Sequence, residues 1–165
     1  MLYLRPYRKG EAVEIHRWIE SEYTLRIWSG PRHSAYPFPA EELAAVYDGY
    51  AEDAINTPMV LEDEHGLCGA VTLRTVAEGE VRLCNIIVDH RRRGQGLGRE
   101  LLRLALEHCF TCMNAQRVSL GVLEENERAL RCYLAAGMTL LPRELWRTHT
   151  FLGRDWLCAE MTCTR

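Results

Sequence analysis

No apolar run in this sequence comes near the roughly 20 residues needed to cross a bilayer, and the N-terminal stretch MLYLRPYRKG holds no signal-peptide core. A cytoplasmic protein without a membrane partner is the expectation. An excess of one charge is missing too. The 20 Lys and Arg face 23 Asp and Glu, a formal net charge of −3, which gives no global reason to expect nucleic acid as a partner. Basic character is local, at Arg91-Arg92-Arg93. The seven cysteines, at positions 68, 84, 109, 112, 132, 158 and 163, are an odd number scattered through apolar segments. Cys109 and Cys112 form a C-x-x-C with no second pair at zinc-finger spacing, so the set reads as free thiols in a reducing compartment, with no metal. Internal repeats, low-complexity tracts and linkers are also absent. What remains is 165 residues, 47% hydrophobic and 26% charged. That suits one domain, 1–165, burying roughly 70% of its unfolded surface.

Leu2-Tyr3-Leu4 reads as a strand that Pro6 stops. Val13, Ile15, Trp18 and Ile19 make an imperfect stripe that predicts a helix from about Glu11 to Glu22. Residues 29–39, with Pro31, Pro37 and Pro39, predict a loop. Pro39 opens a helix in which Leu43, Val46, Tyr47 and Tyr50 recur at i, i+3, i+4 and i+7. Met59–Asp63 and Leu67–Arg74 read as strands joined at Glu64-His65-Gly66, and a turn at Ala77-Glu78-Gly79 leads to a third, Val81–Val88. Short connections make these an antiparallel meander. Residues 117–123 read as a further strand reached across a helix, which makes it parallel to Val81–Val88. A shorter helix follows from Asn126, with Leu130, Tyr133 and Leu134 on one stripe and a stop at Gly137. Met138–Trp146 and Asp155–Met161 would close the chain as a hairpin around Gly153.

The stretch Val81–Arg103 organises the rest. It starts as the β-branched run Ile86-Ile87-Val88, passes three arginines, places glycine at 94, 96 and 98, and resumes with Leu97, Leu101, Leu104 and Ala105 at helical spacing. Strand, basic glycine loop and helix start together suit an anionic phosphate: small residues let backbone amides converge, and the helix start adds partial positive charge. The dinucleotide fingerprint G-x-G-x-x-G is not met, because the spacing is G-x-G-x-G and four strands precede it.

Arg93-Gly94-Gln95-Gly96-Leu97-Gly98 fits R/Q-x-x-G-x-G and resembles the acyl-CoA-binding signature of the GNAT acetyltransferase superfamily, in its usual place after a strand ending Val-Asp. A second block, Val122 to Tyr133, resembles the family's later element, an Asn followed seven residues on by a Tyr and then a glycine, here Asn126, Tyr133 and Gly137. The resemblance implies a mixed α/β (α+β) fold, a mostly antiparallel sheet flanked by helices with splayed central parallel strands. It also implies an acyl-CoA-binding core at about 81–137 and an N-acetyltransferase using acetyl-CoA on a small-molecule or peptide amine. Dimers are common in the family. The amides of Gly94, Gln95, Gly96, Leu97, Gly98 and Arg99 would bind the pyrophosphate, with Arg93 nearby. Ile86, Ile87 and Val88 would offer main-chain groups to the pantetheine arm. Asn126 would cap its helix and contact that arm, and Tyr133 would donate to the departing sulfur.

The general base does not carry over. A glutamate in the strand before the glycine loop, used by one branch, is Arg82 here; a glutamate five residues before the Asn, used by another, is Gly121. Glu80, Glu124 and Glu125 are the substitutes in reach, or a water chain. A weak base favours low-pKa acceptors, since an α-amine near 7.8 is partly neutral at pH 7 and a lysine amine near 10.4 is not. His65 and His90 are expected at the surface, and His149 could border the acceptor site. Direct attack in a ternary complex is expected, because no Cys or Ser has a nucleophile's setting. A non-catalytic acyl-CoA sensor on the same scaffold is the alternative.

Overall fold

The structure, a computed structural model, describes residues 1–33 and 35–165; position 34, inside the predicted loop 29–39, lies outside the described residues. In chain order the elements are β1 (Tyr3–Pro6), α1 (Ala12–Arg17), α2 (Glu22–Ser29), α3 (Ala40–Glu52), β2 (Asn56–Asp63), β3 (Gly66–Ala77) and β4 (Glu80–Val88). Then come α4 (Leu97–Thr111), β5 (Arg117–Leu123), α5 (Glu127–Ala135), β6 (Thr139–Leu140), β7 (Arg147–Phe151) and β8 (Arg154–Thr164). One sheet runs β1-β2-β3-β4-β5-β8-β6, with β7 also on β8. Every pairing is antiparallel except β4 with β5. This is the mixed, mostly antiparallel α/β sheet expected from the sequence.

Helices cover both faces, which explains why the inner strands read as unbroken apolar runs instead of clean alternation. Met59 and Leu61 of β2 join Val71 and Leu73 of β3 under Leu101, Leu102 and Ala105 of α4. Val60 and Ala70 point the other way, into a second core with Ile15 of α1, Trp18, Leu25 of α2 and Leu43 and Tyr47 of α3.

Two predicted elements need correction. The helix expected over Glu11–Glu22 is two helices. Ser21 adopts an extended conformation (φ −159°) and its hydroxyl accepts from the Thr24 amide, capping α2; α1 stops at Arg17, although Trp18 and Ile19 stay buried. Apolar spacing carried through the break and hid it. The strand expected over Met138–Trp146 fails at Pro142, which opens a single 3-10 turn at Arg143–Leu145. What is left of it is β6, which pairs Thr139 with Thr162; β7, beyond the expected strand, meets the other end of β8 and pairs Phe151 with Arg154. The hairpin around Gly153 is therefore β7–β8.

Two irregularities in β4 position everything that follows. Thr72 pairs with Cys84 and Ala70 with Ile87, so β4 holds one residue more than β3 across that step, and Asn85 sits at φ 52°. This is a β-bulge. It turns Ile87 to the α1–α3 face, whereas Val81 and Leu83 face α4. In addition, the parallel β4–β5 pairing runs from Glu80↔Arg117 to Leu83↔Leu120 and ends there. Beyond it β5 keeps its bonds to β8 as far as Leu123↔Cys158. The strands splay, as the fold expectation required. No helix among the described residues is long and apolar enough to cross a membrane.

Candidate active site

The splay opens a cleft of about 1050 Å³ that runs from the glycine loop to α2 and the β7–β8 hairpin. Ile86, Ile87, Val88, Arg93, Gly94, Gly96, Leu97, Gly98, Arg99, Asn126 and Tyr133 all line it. Of the residues that the resemblance assigned to the cofactor or to catalysis, Gln95 alone does not; it is exposed. From Cys84 onward the edge of β4 that faced β5 has no strand against it.

The three loop glycines serve different ends. Gly94 (φ 81°) and Gly96 (φ 78°) hold left-handed conformations that a Cβ would strain. Gly98 is in α4, where an added Cβ would meet Cys132 Sγ of α5 at 3.3 Å; here close helix packing is the constraint. Among the described residues, none of the amides from Gly94 to Arg99 donates to a protein acceptor, and the first helical bond of α4 is Glu100 N–H to Gly96 O. A row of unspent donors at a helix start is an anion site.

All three arginines of the run are ion-paired within the protein. Arg91 pairs with Asp89 at 2.9 Å and Glu14 at 3.0 Å, Arg92 with Asp63, and Arg93 with Glu20 at 3.0 Å. The hydrogen bonds from Arg92 hold the Asp63 carboxyl down to about 2. These pairs tether the loop to α1, to the α1–α2 connection and to β2. The cations left over at this end of the cleft are Arg99 and Arg128. Both sit in the first turn of a helix, α4 and α5, where a cation opposes the helix dipole. Arg128 was missed in the sequence, and that misplaced charge was the signal available for it.

Tyr133 is 9% exposed, and burial pushes its phenol pKa well above the usual range. Its hydroxyl makes no hydrogen bond within the described residues, and the residue lines the cleft. The phenol therefore stays protonated at any ordinary pH. Asn126 caps α5, its Oδ1 accepting from the Ala129 amide at 3.3 Å. Replacing Asn126 by alanine should remove about 1 kcal/mol of stability, lowering the melting temperature by roughly 2–4 °C; a thermal melt checks this.

The two positions where relatives keep a base turn out to be one place. Gly121 on β5 pairs with Glu160 on β8, and a Cβ built on Gly121 would lie 2.8 Å from Arg82 Nη2 and 3.4 Å from Glu160 Oε1. The space is filled by a bidentate pair, Arg82 to Glu160, with both bonds at 2.9 Å. So a carboxylate is present, supplied by a third strand and bound to a guanidinium; it does not line the cleft. The sequence-suggested substitutes are also out of place. Glu124 is held by Arg143 at 2.6 Å and Glu125 by Arg154 at 2.7 Å, and neither they nor Glu80 line the cleft. His149 does line it. His65 is exposed in the β2–β3 turn, whereas His90, expected to face solvent, is half-buried with Nε2 3.6 Å from Glu20.

Residues 12–138 match the sequence pattern of the acetyltransferase (GNAT) family. Spermidine N(1)-acetyltransferase of Escherichia coli (strain K12) is 26% identical over 138 residues, 83% of this chain and 72% of that protein. Its counterpart in Vibrio cholerae is 26% identical over 141 residues, 82% of this chain and 78% of its own. The crystal structure of the Vibrio cholerae spermidine N-acetyltransferase in complex with CoA and spermine superposes with a TM-score of 0.83 at 24% identity, covering 99% of this chain and 95% of the other. At that identity the superposition speaks for the fold. The unspent loop amides and the open edge of β4 are features that a CoA pyrophosphate and pantetheine arm fit. The chain belongs to the GNAT acetyltransferase family, and its reaction is the transfer of an acetyl group from acetyl-CoA to an amine.

Proposed function

We propose that transfer takes place in the splay cleft, by direct attack of the acceptor amine within a ternary complex. The observation that carries this reading is the open edge of β4 between Cys84 and Val88, bounded by the loop amides at one end and by Tyr133 on the wall. Acetyl-CoA supplies an activated thioester there. The amides of residues 94–99, with Arg99 and Arg128, bind its phosphates, while Arg93 stays on Glu20. Main-chain groups of Ile86, Ile87 and Val88 receive the pantetheine arm as a sheet edge receives an extended peptide. A backbone N–H on the same edge faces the negative charge that develops on the carbonyl oxygen. Tyr133 gives a hydrogen bond to the sulfur as the carbon–sulfur bond breaks. No cysteine acts as an acyl carrier. Burial raises the thiol pKa of both Cys84 and Cys132, the latter beside the glycine loop, which disfavours the nucleophilic thiolate. The whole chain acts as one domain with its core at 81–137, and free thiols together with acetyl-CoA suit a cytoplasmic setting.

Among the described residues the one carboxylate lining the cleft is Glu20, which is held by Arg93, so the amine arrives neutral. Rates with a lysine-type acceptor, pKa about 10.4, should climb continuously from pH 6 to 9, whereas those with an α-amine near 7.8 should level off around pH 8. Tyr133 adds no alkaline fall in this range, because its raised pKa keeps the donor form populated. CoA-thiol release measured across pH with both acceptor types tests the scheme. A flat profile for the lysine-type amine would show that a base had been overlooked.

A further inference from the structure

The end of the cleft farthest from the glycine loop carries charge of one sign. Arg32, Arg74 and Arg82 line it around Cys84 and Asn85. Arg74 and Arg82 are cross-strand partners on β3 and β4. Two like charges directly opposite each other on a sheet destabilise it unless something neutralises them. Their protein partners do so only in part. Arg74 donates to Asn56 Oδ1 at 3.0 Å and Arg32 to Asn85 Oδ1 at 3.1 Å, both neutral amides. Arg82 has Glu160, but Arg147 approaches the same carboxylate at 3.7 Å. Four guanidiniums therefore gather where Glu160 is spent on Arg82 and Asp53 reaches Arg74 only across the Asn56 amide. The Cys84 thiol registers the convergence: burial raises its pKa, and Arg74, Arg82 and Arg32 each pull it back.

The CoA phosphates do not explain this cluster. Arg82 precedes Val88 by six residues, roughly 20 Å along the strand, and Arg99 and Arg128 already stand at the loop. Arg32 and Arg74 form no ion pair within 4 Å among the described residues. Among the described residues, the one carboxylate lining the cleft is Glu20, which is held by Arg93.

We infer that the acceptor amine carries an anionic group, a carboxylate or a phosphate, bound by Arg32 and Arg74 with Arg82 beside them. This rests on the cleft being the transfer site and names the acceptor class for it. Guanidinium forks suit both anions, since each presents paired oxygens to paired N–H groups. A polyamine brings only cations to this end of the cleft and meets repulsion there. On this point the chain parts from the relatives whose names carry spermidine.

The test uses matched acceptors with wild-type enzyme and acetyl-CoA. The pairs are an α-amino acid and its carboxamide, a dipeptide and its C-terminal amide, and glucosamine 6-phosphate and glucosamine, with spermidine and spermine alongside. The anionic member of at least one pair should have kcat/KM about tenfold or more above its neutral counterpart and above both polyamines. The peptide and sugar arms tell carboxylate from phosphate. Arg32→Gln and Arg74→Gln should each raise KM for that acceptor about tenfold, while kcat and KM for acetyl-CoA change little, a split that a loss of folding would not produce. If spermidine or a neutral member is the best acceptor, the anion inference is wrong while the transfer site stands. If acetyl-CoA does not bind in calorimetry, or no acceptor of either charge raises thiol release, the transfer-site reading falls and takes this inference with it.

Discussion

Changing Tyr133 to phenylalanine should lower kcat on the order of 100-fold, the lower end of what a positioned acid contributes, with KM for acetyl-CoA little altered. The substitution removes one oxygen from a ring that is 9% exposed. Because that hydroxyl bonds to nothing else among the described residues, its loss strands no buried partner, and the melting temperature should hold. Catalysis and stability thus separate cleanly. A phenol near 10 is a weaker acid than a thiol near 8.5, so full proton transfer to free thiolate runs uphill by about 2 kcal/mol in water. Burial at Tyr133 widens the gap. The hydroxyl therefore acts as a hydrogen-bond donor that strengthens as charge gathers on sulfur. Acetyl donors with more acidic thiols should lose less rate on substitution. Equal kcat in the two proteins, measured as thiol release at saturating substrates, would reduce Tyr133 to a wall residue.

The second large effect is on stability. Removing Arg82, as Arg82→Met, should cost about 3 kcal/mol, because it leaves the Glu160 carboxylate buried without its bidentate partner. Glu160 is 8% exposed as a side chain and Arg82 24%. The reverse change, Glu160→Gln, should cost less, since the stranded guanidinium borders the cleft and its water. Arg147, 3.7 Å from Glu160, softens the first loss without replacing two bonds at 2.9 Å. The double variant Arg82→Met with Glu160→Met should recover much of the deficit, as apolar replacements of buried ion pairs commonly do. Urea denaturation of the three variants orders them, and a single Arg82→Met as stable as the parent would contradict the account.

Elements with one dominant local signal were legible in the sequence. The glycine loop, the α4 stripe from Leu97 to Ala105 and the turn at Gly153 all lie where residue type and spacing place them. Parallel pairing of β4 with β5 followed from the intervening helix. The break between α1 and α2 was not legible, because Trp18 and Ile19 remain in the core after the helix has ended, so apolar periodicity continues where hydrogen bonding does not. At the site, residues next to one another in sequence were found and those brought together by pairing were not. Arg74, Arg82, Gly121 and Glu160 belong to four strands, β3, β4, β5 and β8, and only the register makes them neighbours. A search at two fixed positions misses the carboxylate that the strand next door brings to the same place, Glu160, which is spent on Arg82. The arginine run misled for the converse reason: three adjacent cations suggested an anion from outside, but Asp63, Glu14 and Glu20 come from distant parts of the chain to meet them, and Asp89 stands two residues from Arg91.

The extra residue at Asn85 sets how freely this chain can change length. A strand's side chains obey a parity, and a one-residue step reverses it for everything downstream. Here that reversal puts Ile87 among Tyr47, Val60 and Ala70, while Leu83, four residues earlier, lies under α4. Loss of one residue between Cys84 and Ile87 would restore ordinary alternation, turn Ile87 out of its cluster and shift every later position toward the glycine loop. The turns at Glu64-His65 and Leu152-Gly153 carry no such phase and lie outside the cleft. Natural variants of this chain should therefore gain and lose residues at those turns and keep the count from Arg82 to Gly98 invariant.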